Sequence, residues 1–268
     1  MRVLNKYIAV VLVLFNVCVV RAQMNEVNYA EVRQYLNSIF QPLNKQLVPT
    51  GILLDYGIEY VDLADYDGTI LADSTVVNIG IYRDIIKTLS SADVRSSNLY
   101  NSVKPRLDNF ETQKDGNNVL LSAIISKYNQ IKANALEDNL IYYDEVNNKV
   151  SDVYNNGQWV NPYDTKYLFA FVANTESCNS LTVNYTLPEN LFFKSTLFTG
   201  LAFDAGDGAG YRDLAIGSTI SVTYDSSGEK ILRLKLREIS GRTLETHTKI
   251  HIENDTHQLA HYILSWHH

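Results

Sequence analysis

Apolar positions in the first half of the chain recur at spacings of three and four. Tyr29, Val32, Leu36, Ile39, Phe40 and Leu43 form one stripe, which predicts an amphipathic helix ending near Pro42. A second stripe, Val77, Ile81, Ile85 and Leu89, predicts a helix from about Ser74 to Leu89, with Asp73 or Ser74 as its cap. A third, Leu120, Ile124, Tyr128, Ile131 and Ala135, predicts a helix from about Asn117 to Ala135, preceded by Gly116. Between the first two lies "VPTGILLDYGIEYVDLADYDG", which Pro49, Gly51, Gly57 and Gly68 break into turns and short pieces. One apolar stripe cannot bury itself, so the three are expected to pack together as a helical domain over 23–149.

The period changes after about residue 140. "KYLFAFVAN" (166–174), "SLTVNYTL" (180–187) and "ISVTYDSSGEKILRLKLRE" (220–238) alternate or run apolar in short bursts. The last predicts a hairpin around "DSSGE". Leu232, Leu234 and Leu236 face a core there, while Arg233, Lys235 and Arg237 face solvent. Strands separated by turns predict an antiparallel sandwich over 165–255, followed by an extension at 256–268. "VSDVYNNGQWVNPYD" (150–164), with its paired asparagines, glycine and proline, is expected to be the linker. The fold class is therefore α+β and multidomain: a helical N-terminal domain, then an all-β sandwich.

The N-terminus adds a destination. Arg2 and Lys6 precede the apolar run "IAVVLVLFNVCVV" (8–20), and small Ala22 precedes Gln23. That is the order of a cleaved secretory signal peptide over 1–22. The run is shorter than the about 20 residues a spanning helix needs, so no stable membrane insertion is expected after cleavage. The expected location is the cell surface or the extracellular space. The segment carries three basic residues, Arg2, Lys6 and Arg21, and no acid, so its removal takes the formal charge from −7 to −10. So acidic a chain repels phosphate backbones, which argues against a nucleic-acid partner. Cleavage also leaves Cys178 as the single cysteine, which excludes an intrachain disulfide. With no basic residue near it in sequence, Cys178 is expected to be a small buried hydrophobe.

"LAFDAGDGAGYRD" (201–213) sends a strand into a loop rich in Asp and Gly. Without a Lys-Ser/Thr ending or a following helix it is neither a phosphate loop nor a dinucleotide fingerprint. "FDAGDG" followed by "VTYDSSGEKILRLKL" resembles the PKD-type immunoglobulin-like domain over roughly 180–255. Phe203 stands where that family usually has tryptophan, Tyr224 matches its tyrosine and Gly228 its turn glycine. The resemblance implies a non-catalytic sandwich used as a spacer or for adhesion and binding. The N-terminal half resembles that of uncharacterised secreted proteins of Bacteroidota-type bacteria, which implies export and no chemistry.

The remaining motifs are weak. "DYDGTI" (65–70) looks like the centre of a calcium loop through Asp65 and Asp67, but that register puts Leu63 first and Ser74 twelfth, where carboxylates are needed. All six histidines fall between 247 and 268. His257 and His261 have the i, i+4 spacing that suits zinc, yet Gln258 replaces the glutamate a metalloprotease uses as base. "THTKIHIE" reads better as the last strand, with histidine on its polar side. Tyr154, Trp159 and Tyr163 could stack on a sugar, or plug the junction between domains. No G-x-S-x-G elbow occurs. The sequence thus predicts an exported, non-catalytic binding, adhesion or structural protein with no cofactor and an unknown protein or glycan as partner. The second reading is an accessory N-terminal region of a larger secreted hydrolase, suggested by the aromatic stretch at the C-terminus.

Overall fold

The computed structural model describes residues 29–95, 99–195 and 197–254. The expected signal peptide, His257, His261 and the extension from 256 lie outside the described residues. The chain begins with helices α1 (Tyr29–Ile39), α2 (Ile79–Ser91) and α3 (Leu99–Thr112). Strands follow: β1 (Asn118–Ile131), β2 (Ile141–Asp144), β3 (Lys149–Asp152), β4 (Tyr154–Asn155), β5 (Gln158–Trp159), β6 (Tyr163–Ala173) and β7 (Ser177–Cys178). After them come β8 (Thr182–Thr186), β9 (Phe192–Lys194), β10 (Phe198–Asp204), β11 (Arg212–Asp213), β12 (Thr219–Thr223), β13 (Gly228–Glu238) and β14 (Thr243–Ile252).

The third predicted helix is instead the longest strand. β1 pairs antiparallel with β6 from Leu121↔Ala173 to Ile131↔Tyr163. It also pairs parallel with β8 over Asn118–Leu120 and with β9 over Ala123–Ile125. Leu120, Ile124 and Tyr128 misled because a spacing of four is also a multiple of two, so they share a strand face as readily as a helix face. What separates the two readings is the other face: Val119, Leu121, Ala123 and Ile125 are buried as well. A strand covered on both sides is apolar on both faces, as β1 is from Val119 to Ile125 with Ser122 the one exception.

Three layers result. Sheet one runs β12-β8-β1-β6, with β9 also on β1; sheet two runs β11-β10-β13-β14-β7. Between them lies a core of Leu121, Ile125, Phe169 and Phe171 from sheet one against Phe203, Leu234 and Ile250 from sheet two. On the opposite side of sheet one, Ile124, Tyr128, Leu168 and Ala170 meet Tyr82 and Ile85 of α2 and Leu107 and Phe110 of α3. α1, the β2–β3 hairpin and the end of β1 enclose a third cluster around Ile39, Leu53 and Tyr163.

Two further expectations change. β12 and β13 do not form a hairpin: β12 pairs with β8 in sheet one, whereas β13 lies between β10 and β14 in sheet two. The "DSSGE" turn therefore crosses between sheets, and Tyr224 anchors it by donating from its buried hydroxyl to Ala205 O at 2.8 Å. The leucine and arginine-lysine alternation of β13 stands, with Leu232, Leu234 and Leu236 fully buried. The second helix starts later than expected. Its cap is Asn78, whose Oδ1 accepts from Ile81 N at 2.9 Å, while Asp73–Thr75 forms a separate 3₁₀ turn.

The division at 150–164 does not separate two cores. β1 and β6, on opposite sides of it, share an unbroken ladder, and both contribute to the cores on either face of sheet one. Within 150–164, β3 completes one hairpin and β4–β5 forms another. The N-terminal half also docks on β14. Glu245 N donates to Gly68 O at 2.8 Å, and Val77 N donates to His247 O at 3.0 Å. Thr248 Oγ1 donates to Val77 O at 2.6 Å. Gly68, at φ 82°, sits so close that a Cβ there would lie 2.8 Å from Leu244 Cβ.

Shared pairing has a measurable consequence. The tip of the β4–β5 hairpin, Asn156–Gly157, is exposed and is the expected point of nicking within 150–164. After limited proteolysis there, the two fragments should co-elute on native size exclusion and part only in denaturant. Fragments that separate under native conditions would restore the two-domain division.

Candidate functional site

A groove of about 570 Å³ opens at the end of the sandwich where the β13–β14 turn meets the β9–β10 connection. Each contributor is placed by a strand. β1 supplies Lys127, β6 supplies Tyr167, β9 ends in Lys194 before Ser195, and β13 ends in Glu238 before Ile239 and Ser240. The turn is tight: Gly241 N donates to Glu238 O at 3.0 Å, and Glu238 N donates to Arg242 O at 2.8 Å. This holds Ile239 outward, 62% exposed, and Leu197 across the groove is 73% exposed. Leu197 and Ile239 thus place exposed aliphatic surface beside Lys194, on a chain with a formal charge of −7.

The polar groups form a connected set. Glu238 is 3% exposed, with Lys127 Nζ 3.7 Å from its Oε1 and Ser240 Oγ donating to its Oε2 at 3.2 Å. The Tyr167 ring faces two cations, Lys127 Nζ at 4.7 Å and Arg242 Cζ at 4.2 Å from its centroid. Lys194 Nζ lies 5.5 Å from the Phe198 ring centroid. Lys194 and Arg242 form no ion pair among the described residues. Ser195 is fixed by its N–H, which donates to Ile125 O at 3.0 Å, and by its Oγ, which accepts from Lys127 N at 3.2 Å. The groove can therefore hold anionic groups against Lys194 and Arg242, with aliphatic contacts at Leu197 and Ile239. Sequence pattern alone did not find it, because its residues come from four separate segments.

The residues singled out from sequence do not converge. Asp65 is exposed, and Asp67 Oδ1 accepts from Thr69 N at 2.7 Å and from Thr69 Oγ1 at 2.6 Å, closing a turn. Among the described residues, no three His, Cys, Asp or Glu side chains gather as metal ligands. His247 is buried rather than on the polar face of β14, and its Nε2 lies 3.0 Å from Ala72 O. Burial holds its pKa below the usual imidazole range. His251 is exposed. Tyr154 is exposed, Trp159 Nε1 donates to Asp152 Oδ1 at 2.9 Å, and Tyr163 is buried with its ring centroid 6.1 Å from that of Trp159. Trp159 and Tyr163 thus pack under the hairpins instead of forming an open stacking platform. Cys178 is buried, and burial pushes its thiol up.

The Asp-Gly loop after β10 is also structural. Phe203 sits fully buried between Phe171 and Tyr185, with centroids at 6.5 and 5.1 Å. Asp204 Oδ1 accepts from Gly206 N at 2.8 Å and its Oδ2 from Arg233 Nη1 at 3.1 Å. Gly206, at φ +68°, has no room for a side chain, since a Cβ would lie 2.6 Å from Ile231 O. Asp207 pairs with Arg212.

One ionisable group stands apart from these. Asp55, in a 3₁₀ turn at Leu54–Tyr56, accepts from Ile131 N at 2.8 Å through Oδ2. Burial pushes its pKa up to about 6. A carboxyl whose folded pKa exceeds its unfolded value keeps its proton longer when folded. Stability therefore falls as pH rises from about 4 to about 6, and the penalty is complete above that window. Asp55→Asn keeps an acceptor for Ile131 and removes the charge. Urea unfolding should find the variant more stable than the parent by about 1–3 kcal/mol at pH 7.5, the lower part of that range reflecting partial exposure, and equal to it below about pH 4. A variant less stable than the parent at pH 7.5 would contradict this assignment.

Neither a family model nor a curated protein matches the chain. Among solved structures, the PKD1 domain of Vibrio anguillarum Epp is similar at 20% identity, covering 28% of this chain and 82% of that one, with a TM-score of 0.21. No helix among the described residues is long and apolar enough to cross a membrane.

Proposed function

We propose that this chain is an exported, non-catalytic binding protein whose β-sandwich is of the PKD-type immunoglobulin-like kind, and that the Lys127–Tyr167–Glu238 groove is its contact surface. The single observation that carries the reading is the groove's composition. Exposed Leu197 and Ile239 stand beside Lys194 and Arg242 at the end of the sandwich, on a chain that is acidic as a whole. Such a surface fits a protein segment combining acidic and aliphatic side chains. A glycan fits less well, because the Tyr167 ring is already engaged by two cations and the exposed aliphatic groups offer no hydrogen bonds. The PKD-type assignment is supported by how the Phe203–Gly208 motif and Tyr224 lock together, and export by Arg2, Lys6 and the apolar run at 8–20.

Fluorescence polarisation with a labelled peptide of alternating glutamate and leucine tests the groove. A lysine-leucine peptide and polygalacturonate serve as the other arms. The acidic peptide should bind and weaken as salt rises. Lys194→Glu should reduce its affinity by about tenfold, the scale of one charge pair. Equal binding of the lysine peptide, preference for polygalacturonate, or indifference to both Lys194→Glu and Leu197→Asp would overturn the assignment.

A further inference from the structure

A single carboxylate lies in the wall of a largely apolar pocket at the C-terminal end of β1, beyond Lys127 of the groove. The pocket holds about 130 Å³ and is lined by Phe40, Ile131, Ala135, Ile141 and Tyr143 around Asp55. Asp55 Oδ2 already accepts from Ile131 N, which fixes the carboxylate in place. Lys132 also lines the pocket, but its ammonium donates to Asn161 O at 3.0 Å. Among the described residues no lysine or arginine forms an ion pair with Asp55, and the negative charge of Glu59 adds to its own. The Tyr143 hydroxyl is directed away, donating to Asn148 Oδ1 at 2.7 Å, so this side chain offers the pocket its ring.

We propose that this pocket binds a small aliphatic primary ammonium ion, with the N–H groups donating to Asp55 and the alkyl chain filling the apolar lining. Each element selects part of that ligand. A carboxylate set in an apolar wall without a cation is costly, and a ligand that brings a cation relieves the cost. Anions are repelled by Asp55 and Glu59. Benzene enters an apolar cavity of about 150 Å³, so about 130 Å³ suits an alkyl group of roughly four to six carbons. The aromatic rings of Phe40 and Tyr143 in the lining suit a cation better than a neutral polar group. Asp55 adds a preference for N–H donors, which a quaternary ammonium lacks. This inference is independent of the groove and of its ligand.

Amide NMR titration of the full chain with n-butylammonium, tetramethylammonium and 1-butanol tests the assignment. Butylammonium should give saturable shifts at Ile131, Lys132 and Ala135, with an affinity about tenfold or more above that of butanol. Tetramethylammonium should fall between them. Asp55→Asn should bind butanol as the parent does and lose the preference for the amine. Ala133→Phe, at an exposed position in the lining, should weaken all three ligands while leaving Asp55 intact. Equal affinity for amine and alcohol, an unchanged preference in Asp55→Asn, shifts located elsewhere, or no saturable shift up to about 50 mM would overturn the proposal.

Discussion

The ladder between β1 and β6 is the interaction on which the rest depends. It joins a strand that follows the helices to a strand that follows the hairpins, along the whole stretch from Leu121↔Ala173 to Ile131↔Tyr163. Over Leu121–Ser126 of β1 and Leu168–Ala173 of β6 both strands are buried on both faces. The side chains at Leu121, Ala123, Ile125, Phe169 and Phe171 belong to the core against sheet two, while those at Ile124, Tyr128, Leu168 and Ala170 belong to the core against the helices. A one-residue slip would exchange every one of these positions between the two cores, where sizes and partners differ. Ser122 marks that asymmetry: its hydroxyl lies 3.0 Å from that of Tyr82 on the helix side and donates to Leu191 O.

Polar clips then fix the N-terminal segments to this sheet. Asn129 is fully buried on β1, and its Oδ1 accepts from both N and Oγ1 of Thr50, at 2.9 and 2.8 Å. Its Nδ2 donates to Asp164 O and Thr165 Oγ1, so a single side chain ties three segments together with its hydrogen bonds made. Ile52 O accepts from Asn129 N, and Leu53 N donates to Ala92 O, which carries the connection on to the end of α2. At the other side of the molecule, the backbone of Gly68 and Val77 satisfies part of β14 that would otherwise be an open edge. His247, whose pKa burial lowers, lies within hydrogen-bonding distance of Ala72 O in that contact. The helical and β halves thus form a common packing unit.

The sequence was legible where one signal had one meaning. The alternation of β13 between leucine and basic residues predicted its buried and solvated faces, and the stripe of α2 predicted its packing side, with Val77 buried just ahead of it. Leu120, Ile124 and Tyr128 were ambiguous, because a strand buried on both faces satisfies a helical spacing as well. α3 went unseen: Val103, Leu107 and Phe110 are a short stripe, and Pro105 within it argues against a helix. The β12–β13 turn looked like a hairpin because both flanks alternate, and sequence does not say that the flanks belong to different sheets. The groove was illegible for a similar reason. Lys127, Tyr167, Lys194, Glu238 and Arg242 meet only once the two sheets are stacked. The weaker sequence candidates Asp67, Trp159 and Tyr163 turned out to hold turns and packing.

A sandwich end makes a good contact surface because short turns between rigid strands hold exposed side chains in place. In this chain that rigidity depends on β1 joining everything N-terminal to everything C-terminal. Native-state hydrogen exchange on the full chain measures this directly. Amides of Ala123 and Ile125 in β1, Leu234 in β13 and Ile85 in α2 should exchange with the same free energy, equal to that of global unfolding. If Ile85 and its neighbours in α2 exchange at a distinctly lower free energy while β1 and β13 stay protected, the helices form a separate layer and the account of one cooperative unit is wrong.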